Sequence, residues 1–145
     1  MRPGRDRTLG FTLIELMLVV AIIGLLAAIA IPKFAGLIIK SKEAAVKGQL
    51  GGLRSAISIY YADNEGNFPY TTLGSLTVGS KYIDAIPTIS IPTVPAHAPS
   101  NIVGAGMFDW LGPPGSGAWK FNFGAGALAV SCNHPDSTGR VWSTW

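Results

Sequence analysis

The sequence predicts an α+β chain, in which one long N-terminal α-helix packs its second half on a small C-terminal antiparallel β-sheet. Three observations carry this. Residues 11–31 are an apolar run in which only Thr12 and Glu15 are strongly polar. A helical stripe then continues through Phe34, Ile38, Val46, Leu50, Leu53, Ile57 and Tyr60. Finally, residues 118–123 and 127–132 alternate apolar and polar positions, as half-buried strands do.

The apolar run spans about 31 Å at the helical rise, close to the hydrocarbon thickness of a bilayer. A carboxylate inside such a run costs about 2.5–3.5 kcal/mol on insertion scales, so Glu15 calls for a partner or a role. Arg2, Arg5 and Arg7 come first, then Gly10, then the run. An ordinary secretory signal places its small-residue cut site beyond the apolar stretch. A cut after Gly10 would instead keep that stretch in the mature chain. It would also leave Phe11 with a free amine about one turn from Glu15. An amine from a neighbouring copy would then neutralise the carboxylate, which links the cut to assembly.

Beyond Pro32 the helix is amphipathic and runs to about residue 62, with Lys40, Lys42, Glu43, Lys47 and Arg54 on the faces away from the stripe. Pro32 lacks a backbone donor and is expected to kink or locally open the helix, with Gly24 as a second soft point. Gly48 and Gly52, like Gly24 and Ala28, have the spacing of small residues that permits close approach. The first pair reads as packing on the protein's own sheet, the second as a contact between subunits. Asp63, Asn64, Gly66, Asn67 and Pro69 end the helix by turn chemistry.

Residues 69–116 have no sustained period and read as irregular, with one short element around 81–86. In the first strand Trp119, Phe121 and Phe123 share a face; in the second Leu128, Val130 and Cys132 do. A turn at 124–126 joins them, and a third short strand is expected at 140–145. Such a meander has one apolar face that needs a cover, and the helical stripe supplies it.

Composition narrows function. Loss of residues 1–10 removes three arginines and one aspartate, which takes the formal net charge from +3 to +1. A nucleic-acid binder would keep its basic excess in the folded domain, so no nucleic-acid partner is expected. Cys132 is the only cysteine, so no intramolecular disulfide forms; it reads as a buried thiol. The histidines are His97 and His134, and no nucleophile–base spacing or phosphate loop is present. Cys132 and His134 can share a face at a strand end, yet two ligands fall short of the four a structural zinc takes. They are read as binding no metal, and the chain as no enzyme. Calcium would need several oxygens. Asp109 and Asp136, helped by Asn133 and Ser137, read better as turn and cap residues. Phe11, Phe34, Tyr60 and Tyr61 read as packing aromatics rather than a conducting path.

Gly10, Phe11, Thr12, Leu13, Glu15, Gly24 and Pro32 stand in the register of a known motif. Roughly the first 35 residues resemble the class III signal and N-terminal helix of type IV pilins and type II secretion pseudopilins. The resemblance implies a leader, residues 1–10, removed by a prepilin peptidase, with N-methylation of Phe11. It implies a transmembrane and filament-core helix at 11–32, an amphipathic half at 33–62 and a globular pilin head at 63–145. Phe11 and Glu15 would serve subunit assembly, and Gly24 and Pro32 helix flexibility.

Flanking charge leaves topology open, because Lys33, Lys40, Lys42 and Lys47 crowd the far side. The resemblance implies a cytoplasmic N-terminus, a periplasmic or external head and a bacterial inner-membrane precursor. An assembly platform would draw that precursor from membrane lipid into a helical filament of itself and related pilins. The missing disulfide departs from many pilins and leans towards a pseudopilin; the poor match of Asp109, Trp110, Leu111 and Gly112 to a pseudopilin calcium loop leans away. Two rivals stand beside this reading: a non-polymerising membrane-anchored binding domain, and a minor DNA-uptake or adhesive pilin.

Overall fold

The computed structural model describes residues 10–70, 72–92, 97–106 and 117–145. The chain divides into two compact units, residues 1–37 and 38–145. One helix, α1 (Leu13–Asp63, 51 residues), contributes to both. It runs unbroken through Gly24 and Pro32. In the first unit it is long and apolar enough to cross a membrane, and none of its most apolar window is buried.

The second unit is built on a three-stranded sheet of order β1 (Val103–Gly106), β2 (Ala118–Asn122) and β3 (Ala127–Ser131). β2 and β3 are the expected antiparallel pair, with Trp119 opposite Val130 and Phe121 opposite Leu128. β1 pairs with β2 in parallel, Val103 opposite Trp119, so the sheet is mixed rather than an antiparallel meander. A Val-Gly-Ala-Gly segment has neither alternation nor β-branched density. Pairing with β2 makes it a strand, which local pattern could not announce.

The third strand expected at 140–145 is replaced by a single bridge between Pro135 and Val141 and a tight turn at Trp142–Thr144. The Thr144 hydroxyl donates to the Val141 carbonyl at 2.7 Å, closing the chain into that turn. The short element expected at 81–86 is also absent. Two short helical turns form just before it instead, Leu73–Leu76 and Val78–Ser80.

The core has one side from α1 and one from the sheet. Val46, Leu50, Leu53, Ala56 and Ile57 meet Trp119, Phe121, Leu128, Val130 and Cys132, closed by Leu73, Leu76, Ile89, Ile91 and Trp142. Burying side chains of this size contributes about 1.5–3 kcal/mol each. The indole N–H of Trp119 donates to the Pro87 carbonyl at 2.8 Å, so this buried core tryptophan carries no unmet donor. Phe34 and Ile38, expected on the same stripe, are exposed. Gly48, Gly51 and Gly52 are exposed too, with nothing near the place a Cβ would take. The expected packing of Gly48 and Gly52 on the sheet is therefore wrong: they lie on the helix face opposite the core.

The β2–β3 turn is set by Asn122, whose side-chain oxygen accepts from the N–H groups of Gly124 and Ala125 at 2.9 and 3.0 Å. It finishes at Gly126, φ +64°, where an added Cβ would lie 2.1 Å from the Phe68 ring. Phe68 in turn stacks on Tyr61 at the end of α1, centroids 4.4 Å apart. This glycine therefore lets the hairpin tip and the helix end close on one aromatic.

Candidate functional site

The N-terminal segment is organised by a capping box that its own letters contain, Thr12-Leu13-Ile14-Glu15. Thr12 N–H and the Thr12 hydroxyl donate to Glu15 Oε2 at 2.8 and 2.7 Å, and Glu15 N–H donates back to Thr12 Oγ1 at 3.3 Å. These bonds satisfy helix-end donors that would otherwise stay open. Glu15 thus has a role within its own chain, which the reading of a lone carboxylate in an apolar run missed. The T-x-x-E spacing was the signal that could have found it.

Around that cap the surface is apolar. Phe11 is 81% exposed, and Leu13, Ile14, Leu16, Met17 and Leu18 are exposed with it. Gly10 precedes the helix, while Gly24 and Pro32 lie within α1. Gly24 has open space where a Cβ would stand. Arg2, Arg5 and Arg7, expected in a leader, fall outside the described residues.

In the second unit the polar face of α1 is put to use. Glu43, Lys47 and Arg54 were expected on outward faces, yet each reaches back to the C-terminal segment. Glu43 is buried and accepts hydrogen bonds from the backbone N–H and hydroxyl of Ser137. Lys47 pairs with Asp136 at 2.7 Å and lies 3.7 Å from the centre of the Trp145 ring. Arg54 donates to the backbone oxygens of Leu128 and Trp145. Long side chains flanking the apolar stripe curl inward with their stems on the core, a behaviour that residue type alone hides.

Asp136 is the centre of this arrangement. Its side chain is fully buried and accepts from Lys47, from the Thr138 N–H and hydroxyl, and from the Arg140 N–H. Burial alone would raise its pKa. The Lys47 ammonium and the Thr138 and Arg140 donors outweigh burial and hold the carboxyl well below the usual range. Asp109, its suggested companion for calcium, falls outside the described residues.

The structure also gathers three residues that sequence spacing left apart. His97 Nε2 lies 3.1 Å from His134 Nδ1 and 3.3 Å from Cys132 Sγ, and the sulfur lies 3.5 Å from His134 Nδ1. Cys132 is buried and the two histidines are half-buried. Burial pushes the thiol up, partly opposed by a hydrogen bond from the His134 backbone. His97 sits among prolines 35 residues before Cys132 in the chain, where no spacing marks it as a neighbour.

Comparison with known proteins bears on the first of these sites. The family model described as the prokaryotic N-terminal methylation motif matches residues 5–31. The chain is similar to the fimbrial protein EcpC of Eikenella corrodens, 41% identical over 80 residues, which cover 53% of this chain and 52% of that protein. It is similar to the type IV major pilin protein PilA of Myxococcus xanthus, 49% identical over 67 residues, covering 45% of this chain and 30% of that one. It is also similar to fimbrial protein Q of Moraxella bovis, 38% identical over 104 residues, covering 68% and 60%. The chain thus spans about half the length of the Eikenella relative and less of the Myxococcus one. No solved structure matches it. With the methylation motif, the long apolar helix and the α+β unit on one chain, the protein is similar to the type IV pilins and fimbrial proteins.

Proposed function

We propose that this chain is a non-enzymatic structural subunit of a type IV pilus. The observation that carries the reading is the capped apolar helix after Gly10, whose most apolar window has no burial in the single chain. Each large apolar side chain that moves from water into a lipid or protein setting contributes about 1.5–3 kcal/mol. More than a dozen of them lie between Phe11 and Ile39. Such a helix is stable only in a bilayer or against copies of itself, and a pilin uses the two in turn.

In this reading a prepilin peptidase cuts between Gly10 and Phe11 and Phe11 is N-methylated. Residues 11–32 hold the precursor in the inner membrane with its N-terminus in the cytoplasm, and an assembly platform moves it into a filament of like subunits. The relatives, fimbrial proteins and a major pilin, favour a pilus over a secretion pseudopilus.

Mass spectrometry of the membrane and filament fractions tests this directly. The expected mature chain begins at methylated Phe11; an intact Met1 start in cells with an active peptidase would overturn the proposal. Glu15 variants separate its two roles. Glu15→Gln keeps the capping box but removes the charge, whereas Glu15→Val removes both. If the charge pairs with a neighbour's terminal amine, both variants insert normally and both lose filaments.

A further inference from the structure

Hydrogen bonding accounts for only part of the cluster of His97, Cys132 and His134. A neutral ring nitrogen either carries a proton or accepts one, never both. Three atoms that all lie 3.1–3.5 Å apart therefore hold at most two good hydrogen bonds on three edges. The third edge is then held close without a good hydrogen bond of its own. A cation at the centre would engage all three atoms at once, because it takes a lone pair from each.

The spacing fits one class of cation. Zinc binds imidazole nitrogen at about 2.0–2.1 Å and thiolate sulfur at about 2.3 Å in tetrahedral geometry. Those lengths put two nitrogens about 3.4 Å apart and each nitrogen about 3.6 Å from the sulfur. The observed 3.1, 3.3 and 3.5 Å are a slightly tighter version of that triangle.

The frame around the cluster is also built. The Cys132 carbonyl accepts from Ser143 N–H at 2.9 Å and the His134 carbonyl from Trp142 N–H at 3.2 Å, so the C-terminal turn fixes both ligand backbones. His97 is seated over Gly117, whose φ is +61° and where an added Cβ would lie 2.6 Å from the His97 Cβ. A surface groove bordered by Glu43, Pro92, Pro135 and Ser137 reaches His134 and gives an ion a way in.

We infer that His97 Nε2, Cys132 Sγ and His134 Nδ1 bind one zinc(II) ion, with the fourth position left to water. Binding forms two Zn–N bonds and one Zn–S bond and releases the thiol proton to solvent. The site ties the segment around residue 97 to the end of β3, the work that a C-terminal disulfide would do in a chain with a second cysteine. It stands apart from filament assembly, since every ligand belongs to one chain.

The test uses the full chain in detergent micelles, stripped with a chelator and titrated with zinc chloride and, separately, with cobalt(II). The expected result is one equivalent of either ion and, for cobalt, a thiolate charge-transfer band. Cys132→Ser should abolish that band. Loss of a supporting contact already weakens metal sites 10–100-fold, so removal of a ligand in Cys132→Ser or His97→Gln should weaken zinc by about 100-fold or more. His97 is half-buried and outside the sheet, so its variant serves if Cys132→Ser does not fold. Gly117→Ala should displace His97 and weaken zinc by about 10-fold or more. No stoichiometric zinc on the wild-type chain overturns the inference. So does zinc bound equally well by His97→Gln, or uptake of copper but not zinc.

Discussion

Replacing Asp136 with alanine should destabilise the C-terminal unit far more than breaking the exposed ion pair between Lys81 and Asp63. The substitution removes the acceptor of four hydrogen bonds, from Lys47, the Thr138 N–H and hydroxyl, and the Arg140 N–H. It also leaves Lys47 without its counter-ion. Removing one partner of a buried pair costs about 3–5 kcal/mol. The lower end applies, because the Lys47 side chain keeps 26% of its surface in water and retains the face of Trp145. A loss of about 3 kcal/mol in a chain of this size lowers Tm by about 10 °C. Asp136→Asn, which keeps the shape and some acceptor capacity, should lose about half as much.

Acid supplies a second readout. The folded-state pKa of Asp136 lies below its unfolded value, so the unfolded chain takes up the proton first as pH falls. Its stabilisation is complete above the unfolded value of about 4 and is lost progressively as pH drops from there through the folded pKa. The Tm gap between the wild-type chain and Asp136→Asn should be full at pH 7 and shrink below about pH 4. Other carboxylates titrate in both proteins and cancel in the difference. Thermal unfolding by circular dichroism, on the full chain in detergent, measures both quantities. A gap at pH 7 within experimental error, or one that does not narrow in acid, refutes the reasoning.

Three further outcomes are expected. Gly126→Ala meets both a positive φ and the Phe68 ring, and should destabilise the hairpin by about 2 kcal/mol or more, read as a fall in the urea midpoint with unchanged slope. Trp119→Phe loses the bond to Pro87 and part of the core volume, and should cost about 2 kcal/mol by the same measurement. Leu53→Ala opens a fully buried site between α1 and the sheet and should cost about 3 kcal/mol, whereas Ile59→Ala on the exposed face should change stability by less than about 0.5 kcal/mol.

Much of the fold was legible where local pattern and tertiary role agree. The stripe Val46, Leu50, Leu53, Ile57 is the buried face of α1, and the alternating Trp119, Phe121, Leu128 and Val130 are the buried face of β2 and β3. Legibility fails where a residue's place is decided by something distant in the chain. β1 has no strand signature of its own and exists through its register with β2. Glu43 looks solvated by type, and the Ser137 donors 94 residues away make its burial tolerable. His97 follows the same rule, since its neighbours are brought in by the return of the chain after β3.

Glu15 shows how a sequence pattern can single out a residue while leaving its local chemistry incomplete. Both bonds from Thr12 land on a single oxygen, Oε2, in the isolated chain. A carboxylate has two oxygens and room for about four donors. The cap therefore turns Glu15 into a fixed acceptor with Oε1 left for a donor from outside the helix. A terminal amine arriving from another subunit can be added to that carboxylate without dismantling the cap. The cap also reduces what the carboxylate costs in an apolar setting, because two of its bonds are satisfied before any partner arrives. A freely rotating glutamate would have to be ordered at the moment of docking, at about 1.5–2 kcal/mol of side-chain entropy. The capping box has already fixed it, so in the proposed filament the residue would be suited to setting axial register, while the exposed apolar helix would supply the larger share of the assembly energy.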